Sequence, residues 1–121
     1  MKLLSLAVEL VTYSSVVILD DFLLGVDFTL RAEAMNTLRR VAERGHAVIC
    51  TFGRQELDAQ VFEQLDSLVL ISAGHVIYSA EASLVKEYFC SDEMKYTLLE
   101  NVELVDFLLD IASGTERPNG I

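Results

Sequence analysis

The stretch Val16-Val17-Ile18-Leu19-Asp20-Asp21-Phe22-Leu23-Leu24-Gly25-Val26-Asp27 decides how the whole chain is read. Four consecutive β-branched or aliphatic residues predict a strand buried on both faces of a parallel sheet, since such a strand has no solvent side to alternate toward. The run ends abruptly in two carboxylates. Asp20 and Asp21 are thereby placed at the carboxyl end of a strand, where α/β sheets open a crevice toward ligands. After Gly25, Asp27 is positioned to cap a helix. In that helix Leu30, Ala34, Leu38, Val41 and Ala42 share one face, and Arg39, Arg40 and Arg44 suit its C-terminal dipole end. Gly45 stops the helix, and Ala47-Val48-Ile49-Cys50-Thr51-Phe52 predicts a second buried strand that breaks at Gly53-Arg54. Strand, helix, strand in this order is a right-handed crossover unit.

Outward from that unit the periodicity is helical again over 55–65. Leu68-Val69-Leu70-Ile71, Ala73-Gly74 and His75-Val76-Ile77-Tyr78 predict a strand turning into an antiparallel partner. Short helices are expected over 81–89 and, with Asn101 as N-cap and Gly114 as terminator, over 102–113. Upstream, Leu3, Leu6, Ala7, Leu10 and Val11 give an amphipathic helix over 2–12. The expected fold class is α/β: mostly parallel strands with an antiparallel edge hairpin and flanking helices. Residues 1–114 form the folded part and 115–121 a flexible tail.

Composition narrows the function. The 121 residues are 52% hydrophobic and 23% charged, enough apolar material for a core, and no internal repeat of 20 to 50 residues is present. Nineteen acidic against nine basic side chains leave a net charge of −10, which argues against nucleic acid as a partner because phosphate binding needs a basic surface. No run approaches the ~20 apolar residues of a membrane span. Met1 to Val8 resembles a signal peptide, but Glu9 interrupts it and no small-x-small cleavage site follows. A soluble chain in a reducing cytosol is the expectation, with Cys50 and Cys90 as buried free thiols.

An apolar strand ending in Asp-Asp fits phosphate chemistry. The first acid can hold the shell of a Mg²⁺ ion and the second can orient or deprotonate an attacking water. The plain alternative is a solvated acidic strand end. A phosphorelay receiver also opens this way, but it needs a lysine at a later strand end, and Lys2, Lys86 and Lys95 end no predicted strand. His46 and His75 read as a strand start and a turn neighbour, and two histidines without clustered carboxylates make no metal site. Met35, Tyr88, Phe89 and Phe107 read as core, and Glu100, Glu103, Asp106 and Asp110 as a solvated helix face.

The string 16–27 also resembles the Walker B strand and D-loop of an ATP-binding cassette, four apolar residues followed by Asp-Glu-Pro-Thr-Ser-Gly-Leu-Asp, with Asp20, Gly25 and Asp27 matching by position. Met35 to Arg44 with Leu38-Arg39-Arg40, Gly45 to Thr51, and Phe62 resemble the corresponding parts of the G (white-type) subfamily of ABC transporters. So do Leu65 to Gly74, Val76-Ile77-Tyr78, Glu87-Tyr88-Phe89 and Val105 to Gly114. The resemblance covers nearly the whole chain but only the second half of a cassette. The chain has no Gly-Lys dipeptide, hence no P-loop, and the 19 residues before Asp20 leave no room for the Leu-Ser-Gly-Gly signature. Asp21 stands where the family has the glutamate that acts on water, and Gly53-Arg54-Gln55 where it has a histidine that contacts the γ-phosphate. Phe22, Leu23 and Leu24 replace polar residues, and two surplus residues lie between Thr51 and Asp66.

What the resemblance implies is ATP-driven export of lipid or other hydrophobic compounds, with ATP and Mg²⁺ as cofactors. It also implies a second nucleotide-binding domain (the same or a different chain) and a transmembrane domain as partners, at the cytoplasmic face of a membrane. Asp20 would be the metal acid, Asp21 the catalytic acid in weakened form, and Gly25 with Asp27 the loop facing the partner cassette. The isolated chain is expected to be inactive. The alternative is a standalone, non-catalytic interaction module derived from such a cassette.

Overall fold

The computed structural model describes residues 15–119, so the helix expected over 2–12 lies outside the described residues. The chain divides into two units at the junction of Gln64 and Leu65. The first holds β1 (Val16–Leu19), α1 (Phe28–Glu43), β2 (Ala47–Cys50) and α2 (Ala59–Glu63). The second holds β3 (Ser67–Ser72), β4 (His75–Glu81), a 3₁₀ turn (Ala82–Leu84), α3 (Val85–Phe89) and α4 (Leu104–Ser113). Parallel and antiparallel pairs with flanking helices give the α/β architecture expected, as two separate ladders, β1–β2 and β3–β4.

In the first unit β1 and β2 run parallel, with Val17 opposite Val48 and Leu19 opposite Cys50, and α1 as the crossover that packs on β2. The strand does not hide both faces as expected. Val17 is buried, whereas Val16, Ile18 and Ile49 are half or more exposed. A two-stranded ladder covered on one side has an inner and an outer face, and the pleat sends alternate residues to each. On α1 the buried stripe is Ala34, Met35, Leu38 and Val41, while Leu30, expected on that face, is half exposed. Asp27 is the N-cap residue, but its side chain makes no capping bond.

The helix expected over 55–65 is shortened to α2. Asp58 accepts from the Val61 amide at 2.9 Å and so starts the helix there. The carbonyls of Gln55 and Glu56 accept from the Arg31 guanidinium, at 3.3 Å for Glu56 and 2.8 Å for Gln55, a tertiary interaction that competes with helical pairing over these residues.

In the second unit Ser72 and His75 close the hairpin over Ala73 and Gly74, whose φ values of 48° and 80° are those of a type I′ turn, the one whose twist matches the strands it joins. Leu70 and Tyr78 pair on the buried face, and Val69, Ile71 and Val76 are exposed. The helix expected over 81–89 opens as a 3₁₀ turn before becoming α3. The last helix begins after Glu103 rather than Asn101 and ends, as expected, at Gly114 in the left-handed region. Thr115 and Glu116 donate to the Asp110 carbonyl, and Asn119 to that of Lys95. Phe89, Tyr96 and Phe107 form a chain of edge-on ring contacts in the core, but Tyr88 is 42% exposed. Cys90 is exposed and Cys50 half-buried, so neither is the sealed thiol anticipated.

Candidate functional site

The carboxyl ends of β1 and β2 lie side by side, and the Thr51 amide extends their ladder by donating to the Leu19 carbonyl at 2.9 Å. This register brings the Thr51 hydroxyl to the acidic pair. It donates to Asp20 Oδ1 and accepts from the Asp21 amide at 3.0 Å. Asp20 and Asp21 are thus brought together as expected, both exposed at the strand end. Thr51 is the member of the site that sequence reasoning missed.

Asp21 has φ of 49°, a left-handed conformation that aspartate tolerates better than most residues. Its carbonyl accepts from the Leu24 amide at 3.1 Å, and the Leu23 carbonyl from the Val26 amide at 3.0 Å, so the chain folds back in two overlapping turns. Phe22 and Leu23, puzzling as replacements for polar loop residues, are 4% and 0% exposed. They anchor this corner in the core. Gly25, at φ of 78°, and Asp27 follow on the exposed rim leading into α1.

A second group of residues fixes the neighbouring loop. Arg31, on the first turn of α1, donates from Nε to the Val26 carbonyl at 3.3 Å and from its two terminal nitrogens to the carbonyls of Glu56 and Gln55, and lies 3.7 Å from Asp58. One guanidinium therefore ties the turn after β1 to the loop after β2. Glu56 is 2% exposed. Its Oε1 accepts from the Gly53 amide at 3.1 Å, and its Oε2 is buried without a hydrogen-bond partner. Nothing in the sequence separates Arg31 from the other arginines or Glu56 from the other acids, because these pairings span 24 to 27 residues or arise within an irregular loop. Arg54 is exposed. Beside the corner, burial pushes the Cys50 thiol up to about 11.

Among the described residues no three His, Cys, Asp or Glu side chains gather to hold a metal ion. A Mg²⁺ ion commonly takes one or two carboxylates and completes its octahedron with waters and phosphate oxygens. The exposed Asp20–Asp21 pair, with one oxygen of Asp20 engaged by Thr51, fits a cation delivered with phosphates, not one caged by this chain alone. Among the described residues no helix is long and apolar enough to cross a membrane.

No family model matches the chain. Individual proteins do. It is 35% identical to ABC transporter G family member 43 of Arabidopsis thaliana over 121 aligned positions, 96% of this chain and 9% of that protein. It is 32% identical to ATP-binding cassette sub-family G member 3 of Mus musculus over 113 positions, 93% of this chain and 17% of that protein. With ABC transporter G family member 1 of Dictyostelium discoideum it shares 30% identity over 107 positions, 88% of this chain and 13% of the relative. The chain spans less than a fifth of the length of these relatives. Plant, mammalian and amoebal proteins of one kind thus align along most of it, and the chain is homologous, at the level of the family, to the G-family ABC transporters.

Proposed function

We propose that this chain is part of the ATP-binding cassette of a G-type ABC transporter, from the Walker B strand onward, with 1–114 as that half-domain and 115–121 as a tail. The observation that carries the reading is the acidic corner. A parallel strand ends in Asp20-Asp21 beside a second strand end, then come a left-handed Gly25 and an Asp27 that precedes the crossover helix. In this reading Asp20 is the acid toward Mg²⁺ on ATP, Asp21 the water-orienting acid, and Gly25 and Asp27 the rim facing a second nucleotide-binding domain. A transmembrane domain would complete the transporter at the cytoplasmic face of the membrane, moving lipid or another hydrophobic compound. When bound, Mg·ATP would supply the phosphoanhydride bond whose hydrolysis drives transport. What this chain's residues do is hold a carboxylate at the strand end, fix its neighbour's backbone and keep the turn rigid.

The chain by itself is inactive in this reading, because no Gly-Lys phosphate cradle is present and Asp21 is one methylene shorter than glutamate. Purified chain is expected to show no Mg-ATP turnover. Turnover abolished by Asp21→Ala overturns that statement. Mixed with a cassette segment that carries a P-loop, it is expected to gain Mg²⁺-dependent nucleotide binding that Asp20→Ala removes.

A second reading, a non-catalytic interaction module with this ancestry, is favoured by one feature. At the place of the γ-phosphate histidine the Gly53 amide is engaged by Glu56, and Arg31 pins the loop that follows. Full turnover on pairing with an intact cassette counts against it.

A further inference from the structure

We propose that Thr51 is a positioning residue for the acidic corner, a role that rests on the reading of Asp20 as the acid toward a phosphate-borne divalent cation. A threonine hydroxyl has one proton to donate and lone pairs to accept with. Here both capacities are spent on the two residues that follow β1: the proton on Asp20 Oδ1, a lone pair on the Asp21 amide. Two consequences follow from that geometry. Asp20 loses the freedom to swing, and its second oxygen is left as the acceptor for a cation. The Asp21 amide, which the left-handed backbone turns out of the β1 ladder, has its hydrogen bond supplied by Thr51 instead of by a strand neighbour.

The hydroxyl is held in place by the strand ladder itself. Thr51 follows Cys50, the last residue of β2, and its own amide is fixed to Leu19, the residue before Asp20. Backbone and side chain of Thr51 therefore clasp Leu19, Asp20 and Asp21 in turn, three successive residues. A serine keeps both hydrogen bonds, whereas a valine keeps the shape and loses both.

The test uses the full, ¹⁵N-labelled chain, with Mn²⁺ alone as the paramagnetic probe and amide hydrogen exchange as a cation-independent readout. In the wild type, Mn²⁺ is expected to broaden the Asp20 and Asp21 amide signals ahead of those elsewhere. Thr51→Val is expected to need several-fold more Mn²⁺ for the same broadening and to exchange the Asp21 amide about tenfold faster, as an opened local hydrogen bond does. Thr51→Ser stays within about twofold of wild type in both, since its hydroxyl remakes the bonds. A Thr51→Val chain that matches wild type in both readouts, or a Thr51→Ser chain that behaves like the valine variant, overturns the proposal. Should Mn²⁺ alone leave the wild-type corner unbroadened, the comparison is made with Mn·ATP and a cassette segment that carries a P-loop, and absence of broadening there overturns Asp20 as the cation acid and with it the purpose assigned to the clasp. The Asp21 exchange still reports on the bonds themselves. Should the valine variant fail to fold, the wild type alone decides. A wild-type Asp21 amide that is protected from exchange supports the clasp, and one that exchanges as fast as an unbonded exposed amide overturns it.

Discussion

Asp21 carries two demands at one position: a carboxylate at the strand end and a backbone with φ of 49°. The second restricts side chains more than the first, because β-branched residues in the left-handed region clash with their own backbone. Asp21→Val is expected to cost about 1–2 kcal/mol in urea denaturation relative to Asp21→Asn, which tolerates the left-handed region. Cys50 and Cys90 differ in kind. Burial raises the Cys50 thiol from 9.0 to about 11, while Cys90 is exposed. The folded state thus favours the neutral Cys50 thiol. Its contribution to stability is intact below pH 9 and is lost as pH climbs through about 11, since the unfolded chain ionises first and binds fewer protons in that window. Alkylation at pH 8 is expected to modify Cys90 well before Cys50, and mass spectrometry of the time course checks it. The acids at 20 and 21 were legible from sequence because an apolar run ending in Asp-Asp is a local signal. Thr51, Arg31 and Glu56 were not, because their partners are set by strand register and loop closure.

Element boundaries show the same division. β1, α1, the hairpin and the Gly114 stop lie close to where periodicity and turn chemistry put them. The helix expected over 55–65 failed because Arg31 draws two carbonyls away from it, and a helical period cannot register a tertiary competitor. That clamp makes a prediction. Arg31→Ala is expected to speed amide exchange through 53–58 and lower stability by about 1–2 kcal/mol, and Arg31→Lys recovers little, because a single ammonium cannot span three carbonyls as a planar fork does. The hairpin turn offers the opposite case. Ala73 sits at φ of 48°, where alanine is strained and asparagine is favoured. Ala73→Asn is expected to raise the denaturation midpoint, with a gain of about 0.5–1 kcal/mol.

At the scale of the molecule, each ladder leaves one apolar side uncovered: Val16, Ile18 and Ile49 in the first unit, Val69, Ile71 and Val76 in the second. Parallel strands are ordinarily covered on both faces, and that expectation, reasonable from four apolar residues in a row, is not met by Val16 and Ile18. Bare apolar faces favour self-association, while a net charge of −10 opposes it until salt screens the repulsion. Sedimentation velocity is expected to show concentration-dependent association that grows with ionic strength and weakens in Ile18→Lys. A monodisperse monomer at all salt concentrations contradicts this.

The two ladders also differ in how far apart in the chain their partners lie. Ser72 and His75 meet across a two-residue turn, whereas Val16 must find Ala47 across the entire crossover helix. Closing the short loop sacrifices little chain entropy and the long one considerably more. During refolding of the full chain, the hairpin can therefore close early, while the strand end that presents Asp20 to Thr51 waits for α1 to form and bring β2 alongside. The acidic corner then forms later than the hairpin, and it depends on α1 in a way that the hairpin does not.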